Sequence, residues 1–367
     1  MHSTFLASLT LNESPAFVKY ISSGCHDLPS SSEDATLLVS TYQLNHETQN
    51  DSSCDDTRIG SFFFLLPESN EPKLENETSS NLSGLKVIRQ LTTNGGVFRF
   101  ENAGHSKIIA ALTSGCIGMI ELPSQTNHFE ASQKTSSRVT DENVMLLSVS
   151  WNSHSKRVLC SDNMGHLIVI DSEIFDLEQK WTAHSHKYTQ AECEVWNCCW
   201  LCDNHPNICA SGSDDGVLKV WDVRSISTHQ NQPQMVNKSH NSGVTFVRQF
   251  PGDTNFLITG SYDDNMRIFD LRNISSPVND LKLNGGVWHV EQMEDSNFLL
   301  AACMYGGWNV VEKDPVSKNL RFIHSNTDCD QLLYGASSRK IKTGIYRIGL
   351  CTFNDKTVYE YELKTFQ

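Results

Sequence analysis

The chain has 367 residues, of which 38% are hydrophobic and 20% charged, and its formal net charge is −14. This acidity argues against a nucleic-acid-binding protein, since such proteins need a basic surface. The sequence contains no apolar run of the roughly 20 residues that a membrane helix needs, and it begins without the pattern of a secretory signal. We therefore expect a cytoplasmic protein whose 12 cysteines are reduced thiols.

Segments rich in short apolar strands follow one another along the chain and resemble copies of one unit. In the first copy, a polar insert divides Phe17–Leu66 into two strand regions. The second copy leads from Gly96-Val-Phe98 to Ile108–Ile120, and the third runs over Val144–Asp171. Turn residues between the strands indicate antiparallel hairpins.

The fourth and fifth copies align without gaps and carry the clearest signal. Cys209–Asp222 reads CASGSDDGVLKVWD, and Ile258–Asp270 reads ITGSYDDNMRIFD. The closing aspartates of the two copies lie 48 positions apart, close to the period of about 40–45 residues in WD repeats. His240 precedes the fifth copy, and we expect it to hydrogen bond to Asp263 in the buried network typical of these repeats.

Two further copies complete the set: the sixth leads from Gly286-Val-Trp288 to Leu299–Val311, and the seventh spans Leu332–Tyr361. The sequence therefore predicts an all-β fold, a seven-bladed WD-repeat β-propeller that forms a single domain over 1–367. To close the ring, we expect Phe17–Tyr20 to join the sheet near Val358–Tyr361. Polar inserts that lack apolar periodicity are predicted as irregular loops near 45–57, 68–83 and 124–142.

Possible metal ligands lie before, within and after the innermost strand predicted for the fourth blade. The predicted strand Val195–Leu201 would direct Cys198 and Cys199 to opposite faces, so a shared metal ion is disfavoured. We expect structural thiols and no metal. The full set of these side chains is His184, His186, Cys193, Cys198, Cys199, Cys202 and His205.

Several runs, in order from the first blade to the last, resemble the diphthine methylesterases, WD-repeat proteins of diphthamide biosynthesis. The more specific runs are Leu38–Leu44 and the pair Gly285-Gly-Val-Trp288 and Leu300-Ala-Ala-Cys-Met304. The chain departs from the family pattern at two places. His289 stands where the family tends to have a basic residue, and Ser337-Ser338 stands where it tends to have Asp-Trp.

The resemblance implies hydrolysis of the methyl ester of methylated diphthine on the modified histidine of elongation factor 2, before the final amidation. Elongation factor 2 is then the expected partner, and no cofactor, nucleic acid or membrane is implied. We expect a monomer. The repeats alone leave a second possibility open, a non-catalytic WD-repeat scaffold for protein–protein interaction.

The substrate that the resemblance implies carries a quaternary ammonium group beside the ester, and aromatic faces bind such cations well. The expected substrate-binding residues are aromatic side chains in the loops between strands, near Asp214 and Asp264. They are Tyr262, Trp288, Tyr305 and Trp308.

Ester hydrolysis also needs a nucleophile and a base. The expected catalytic residues are His324 and Asp355, as a pair that activates a water molecule, together with His184. Cys303 is an alternative nucleophile. Each His–Asp pair could instead belong to the structural network of its blade.

Overall fold

Seven antiparallel sheets form the blades of a β-propeller, as the repeats predict. The computed structural model describes residues 1–21, 36–44, 58–67, 84–104, 107–122, 132–201, 206–226 and 231–365. The predicted inserts at 45–57 and 68–83 lie outside these residues. In the part of the chain that the structure describes, no helix is long and apolar enough to cross a membrane.

In blades two to six the strands follow sequence order from the channel outward. In blade one the short strand Gln43–Leu44 departs from this order, because it pairs with Arg58–Pro67 beside Thr36–Thr41. The last blade gains β1 (His2–Thr10) from the start of the chain. Blade one contains β2 (Pro15–Ile21), β3 (Thr36–Thr41), β4 (Gln43–Leu44), β5 (Arg58–Pro67) and β6 (Leu85–Thr93). Blade two contains β7 (Val97–Asn102), β8 (Lys107–Leu112), β9 (Cys116–Glu121) and β10 (Ser132–Arg138).

Blades three to five include the two clearest repeats, which form blades four and five. Blade three contains β11 (Leu146–Asn152), β12 (Arg157–Asp162), β13 (His166–Asp171) and β14 (Leu177–Thr182). Blade four contains β15 (Asn197–Trp200), β16 (Ile208–Gly212), β17 (Leu218–Asp222) and β18 (Met235–Asn237), with a 3-10 turn at Val223–Ser225. Blade five contains β19 (Val244–Gln249), β20 (Phe256–Ser261), β21 (Asn265–Asp270) and β22 (Asn279–Lys282).

The last two blades complete the ring. Blade six contains β23 (His289–Gln292), β24 (Phe298–Ala302), β25 (Trp308–Lys313) and β26 (Leu320–Asn326). Blade seven contains β27 (Leu333–Lys342), β28 (Ile345–Thr352) and β29 (Thr357–Lys364), and β1 is its outermost strand.

The hydrophobic core lies between neighbouring blades, because alternate side chains of each strand point to opposite faces of its sheet. Phe62 and Phe64 of blade one pack in one such layer with Ile108 and Ala110 of blade two. Close approach of the blades requires glycine at one position: a Cβ on Gly260 would lie 2.6 Å from the carbonyl oxygen of Val287 in the next blade. The small residues of the repeat therefore set the spacing of the blades.

The prediction of which strand closes the ring is wrong, although the segment that it named does lie beside blade seven. His2–Thr10, and not Phe17–Tyr20, pairs with β29, with His2 opposite Lys364. Phe17–Tyr20 lies in β2, the innermost strand of blade one, which packs against blade seven. There the Tyr20 hydroxyl donates a hydrogen bond of 2.9 Å to Glu360.

The insert predicted near 124–142 is only partly a loop. Its residues 132–138 form β10, which pairs with β9 at the outer edge of blade two. The outermost strand of a propeller blade is half exposed and needs little apolar periodicity, so a run rich in serine and threonine can occupy it. The composition of this segment therefore gave no indication of the strand.

Candidate functional site

Seven aromatic side chains meet at one end of the central channel, and we call this group the aromatic mouth. Its members sit where an innermost strand begins or where a second strand ends. In an antiparallel blade these two positions fall at the same edge of the sheet. The aromatic mouth consists of Tyr42, Phe98, Trp196, Tyr262, Trp288, Tyr334 and Phe353.

Trp288 is the centre of the aromatic mouth. Its ring stacks on Tyr334 with centroids 4.9 Å apart. Trp196 packs edge-on against it at 5.5 Å, and Tyr262 lies 6.1 Å away. Only 3% of Trp288 is exposed, while Trp196, Tyr262 and Tyr334 are partly exposed. The mouth therefore offers aromatic faces around a fixed central ring.

Two carboxylates border these rings. The Trp196 indole donates a hydrogen bond of 3.1 Å to Asp214. Burial raises the pKa of the Tyr262 hydroxyl, and the nearby Tyr334, Asp214 and Glu194 raise it further. Aromatic faces beside carboxylates make an environment that favours cations, above all weakly hydrated ones such as quaternary ammonium groups.

The structure brings two of the four predicted substrate-binding residues into this mouth, Trp288 and Tyr262. Trp308 instead lies fully buried in β25, the third strand of blade six, where it packs against Tyr361 of blade seven. Tyr305 is 64% exposed on the turn before β25. The other five members of the mouth were missed, although each occupies a position equivalent to Trp288 or Tyr262 in its own repeat.

Both ring nitrogens of His184 are occupied in a buried network of blade four. Nδ1 lies 2.9 Å from Asp215, and Nε2 lies 2.8 Å from the Ser211 hydroxyl. The Trp221 indole donates to the same hydroxyl at 2.9 Å. Burial lowers the pKa of His184. This side chain joins two strands of its blade to the loop before the innermost strand, and it lies outside the aromatic mouth.

The expected bond between His240 and Asp263 is absent among the described contacts, and that prediction is wrong. His240 instead bonds through Nε2 to the Thr259 hydroxyl at 2.9 Å. Asp263 accepts hydrogen bonds from the backbone of Asn241 and from Arg267. Asp263 pairs with Arg267 and not with His240, because a guanidinium is a stronger partner for a carboxylate than a neutral imidazole.

His324 and Asp355 lie in different blades and have separate partners. His324 is in β26, the outermost strand of blade six, and its Nε2 lies 3.0 Å from the Ser3 hydroxyl in β1. Asp355 lies in the turn between β28 and β29, where it accepts a hydrogen bond of 3.0 Å from the Tyr359 hydroxyl. Its other oxygen is buried without a hydrogen-bond partner among the described residues.

The cysteines have the character of core residues. Cys303 is fully buried, and burial raises its pKa, which disfavours the nucleophilic thiolate. Burial likewise raises the pKa of Cys199 to about 12, and it raises that of Cys198 as well. Cys202 and His205 lie outside the described residues.

Comparison with known proteins supports the repeats and the resemblance. The family model "WD domain, G-beta repeat" matches residues 177–222 and 231–270. The diphthine methyltransferase of Mus musculus is 29% identical over 250 residues, which are 64% of this chain and 50% of that protein. The diphthine methyltransferase homolog of Dictyostelium discoideum is 26% identical over 292 residues, 74% of this chain and 77% of that protein.

The chain thus spans about half the length of the mouse relative. The same fold occurs in a crystal structure of the mitotic checkpoint complex, with a TM-score of 0.64 over 99% of this chain and 92% of that one, at 15% identity. That likeness concerns the fold alone. The matched relatives and the family model show that this chain contains WD repeats and is similar to the diphthine methyltransferases.

Proposed function

We propose that this protein hydrolyses the methyl ester of methylated diphthine on elongation factor 2, in the cytoplasm. The observation that carries the proposal is the aromatic mouth with its bordering carboxylates. The substrate side chain bears a trimethylammonium group next to the ester, so a site that binds this cation also places the ester within the mouth. The similarity to the diphthine methyltransferases makes diphthine the modified residue to test first.

Cation binding at this mouth has a clear physical basis. A trimethylammonium group cannot donate strong hydrogen bonds, and contact with aromatic faces stabilises it by roughly 0.5–2 kcal/mol per ring. Asp214 and Glu194 add long-range attraction, and the net charge of −14 does so for the whole protein. Partly exposed Tyr262 and Trp196 are the rings that an entering side chain would meet first.

For the hydrolytic step we assign water activation to Asp355, without a His324 partner. Asp355 lies two residues after Phe353, whose ring contacts Tyr334 at 5.0 Å between centroids. One Asp355 oxygen is held by Tyr359, and the other has no partner among the described residues. Because this second oxygen is buried, we expect it to take a proton only from a water molecule that enters with the substrate.

The names of the relatives raise a second function, transfer of a methyl group. Transfer would add a methylene mass to diphthine and would need a methyl donor, whereas hydrolysis removes a methylene mass and needs only water. The two reactions are therefore distinguished by the sign of one mass change.

The decisive experiment incubates the purified protein with elongation factor 2 that carries methylated diphthine, and in a second arm with elongation factor 2 that carries diphthine without the methyl ester, each with and without S-adenosylmethionine. Mass spectrometry of the methylated peptide is expected to show loss of one methylene mass, independent of the methyl donor. Donor-dependent gain of mass on the unesterified diphthine would replace hydrolysis with transfer. Stoichiometric binding without any mass change would favour the scaffold.

A matched pair of tyrosine variants tests the place of the site. Tyr262→Leu removes a ring of the aromatic mouth and is expected to lower kcat/KM at least tenfold. Tyr305→Leu removes an exposed ring outside it and is expected to leave the rate unchanged. Equal rates for the two tyrosine variants would show that the substrate does not bind at the aromatic mouth.

A second pair of variants tests the assignment of water activation. Asp355→Asn should lower kcat with little change in KM, while His324→Gln should keep the wild-type rate.

A further inference from the structure

A small polar cavity lies in the central channel behind the aromatic mouth. Its volume is about 40 Å³, enough for a few water molecules or one small oxyanion, but not for a nucleotide. The innermost strands of six blades contribute to its wall. The side chains that matter for its charge are Lys19, Arg99, Glu101, Arg248, His289 and Glu291.

Arg99 is a buried cation without a carboxylate partner among the described residues. Its guanidinium donates one bond, of 3.3 Å, to the backbone carbonyl of Trp288, and it lies 5.4 Å from the centre of the Trp288 ring. Its Nε has no partner in the described part of the chain. Burial lowers the pKa of Arg99 to about 10, so the group still carries its charge at neutral pH.

The two acidic groups of the cavity are already engaged elsewhere. Glu101 forms an ion pair with Arg248 and accepts the backbone N–H of Trp151. Glu291 accepts hydrogen bonds from the hydroxyls of Ser337 and Ser338 and from the Ser338 backbone. Neither carboxylate compensates Arg99 at ion-pair distance.

His289 adds a second unsatisfied polar group to the same wall. It is 5% exposed, it packs between the rings of Phe17 and Phe246, and its Nδ1 has no partner in the described structure. Burial and the neighbouring Arg99, Arg248 and Lys19 lower its pKa well below the usual value. A neutral imidazole still has one N–H to donate.

A buried charge and a buried imidazole left without partners are both costly, and a bound anion would relieve both. A guanidinium presents paired N–H groups that match the two oxygens of a carboxylate or a phosphate. We propose that this cavity is an oxyanion-binding site, in which Arg99 and His289 hold a carboxylate or a phosphate. The proposal does not depend on the esterase activity.

Access to the cavity comes from the face opposite the aromatic mouth. A second, wider depression shares Glu101, Ser150, Cys199 and Arg248 with the cavity wall. It is lined further by Asn152 and Gln249, which end their innermost strands, whereas the aromatic mouth lies where such strands begin. An anion would therefore enter beside the Arg248–Glu101 pair.

The test is calorimetric titration of the whole protein with sodium acetate and with sodium phosphate, in a chloride buffer of constant ionic strength. Wild type is expected to bind one equivalent of at least one of these anions with saturation. Arg99→Met should weaken that binding at least tenfold, and His289→Leu should weaken it less. Arg224→Met, which alters an exposed arginine outside the channel, should bind as wild type does.

Thermal unfolding supplies a second readout. In chloride, Arg99→Met is expected to be at least as stable as wild type, because it removes an unpaired buried charge. Saturating acetate or phosphate should then raise the melting temperature of wild type but not that of Arg99→Met. If Arg99→Met does not fold, Arg99→Lys takes its place and should bind more weakly than wild type. Absence of saturable binding of both anions to wild type, or unchanged binding by the Arg99 variant, would overturn the proposal.

Discussion

Blades four and five have closely similar sequences but different buried polar networks. In blade four, Asp215, His184, Ser211 and Trp221 form one continuous chain of hydrogen bonds. In blade five the equivalent chain stops after one bond, from His240 to Thr259. The presence of an aspartate and a histidine in a repeat therefore does not by itself produce the continuous hydrogen-bond network.

Two substitutions account for the difference. Phe269 stands where blade four has Trp221, and a phenyl ring has no N–H for the hydroxyl in the second strand. Arg267 stands where blade four has Lys219, and it pairs with Asp263 at 2.9 Å. Lys219 donates to the carbonyl of Ala183 instead, which leaves Asp215 to the histidine. Blade five therefore relies on a buried arginine–aspartate ion pair, where blade four relies on hydrogen bonds of an aspartate and a serine to a histidine.

The largest effect is expected for Arg267→Met, which leaves Asp263 buried without its ion-pair partner. Only 3% of the Arg267 side chain and 6% of the Asp263 side chain are exposed. We expect a loss of about 3–5 kcal/mol in the free energy of unfolding, measured by urea denaturation. Lys219→Met at the matching position of blade four is the control and should lose far less. Equal losses would mean that the two blades do not differ in this way.

His184→Ala should come next, because it removes two hydrogen bonds of a buried ring in blade four, one to Asp215 and one to Ser211. We expect a loss of about 2–3 kcal/mol. His240→Ala removes a single hydrogen bond in blade five and should cost less in the same urea titration. A larger loss for His240→Ala would reverse the comparison.

The two buried histidines, His184 and His240, are expected to make the folding stability depend on pH. Burial, with the positive charge of Arg267, lowers the pKa of His240 to about 4, below the value of about 6.5 in the unfolded chain. Between these values the unfolded chain binds more protons, so folding stability falls as the pH drops from 6.5 towards 4, by at most about 1.4 kcal/mol per pH unit for each such group.

His240→Phe should flatten this slope, and His184→Ala should do so in addition, since burial lowers the pKa of His184 as well. The measurement is the urea midpoint of each variant at a series of pH values. An unchanged slope in His240→Phe would show that His240 is not the neutral, buried group described above.

The smallest effect is expected for Trp221→Phe, which gives blade four the ring of blade five. The change removes one N–H bond to Ser211 while most of the apolar contact remains, so about 1 kcal/mol should be lost. Two-state urea denaturation resolves a change of this size. A loss as large as that of His184→Ala would show that the network is more cooperative than its separate bonds.

The sequence predicts the blades well because each WD unit is local, with its strands joined by short turns. It does not predict the closing strand. In His2–Thr10 only Ala7 is buried, so the apolar alternation that marks other strands is nearly lacking there. Pairing with β29 depends on the completed ring, which no local pattern encodes.

The candidate site is predictable only in part for a related reason. Trp288 and Tyr262 follow recognisable motifs, and both lie in the aromatic mouth. Trp308 and His324 were expected beside them, but they belong to the third and fourth strands of blade six. Those strands stand away from the channel. Tyr42, by contrast, meets Tyr334 and Phe353 only because blades one and seven become neighbours when the ring closes.

The pairing of β1 with β29 cannot form until both strands have been synthesised. During synthesis β1 leaves the ribosome long before its partner strand, since His2 pairs with Lys364. Domains with such distant contacts fold slowly, and their unpaired strand edges are exposed meanwhile. Until β29 has been synthesised, β1 therefore has no partner strand, and its edge is open to pairing with other chains.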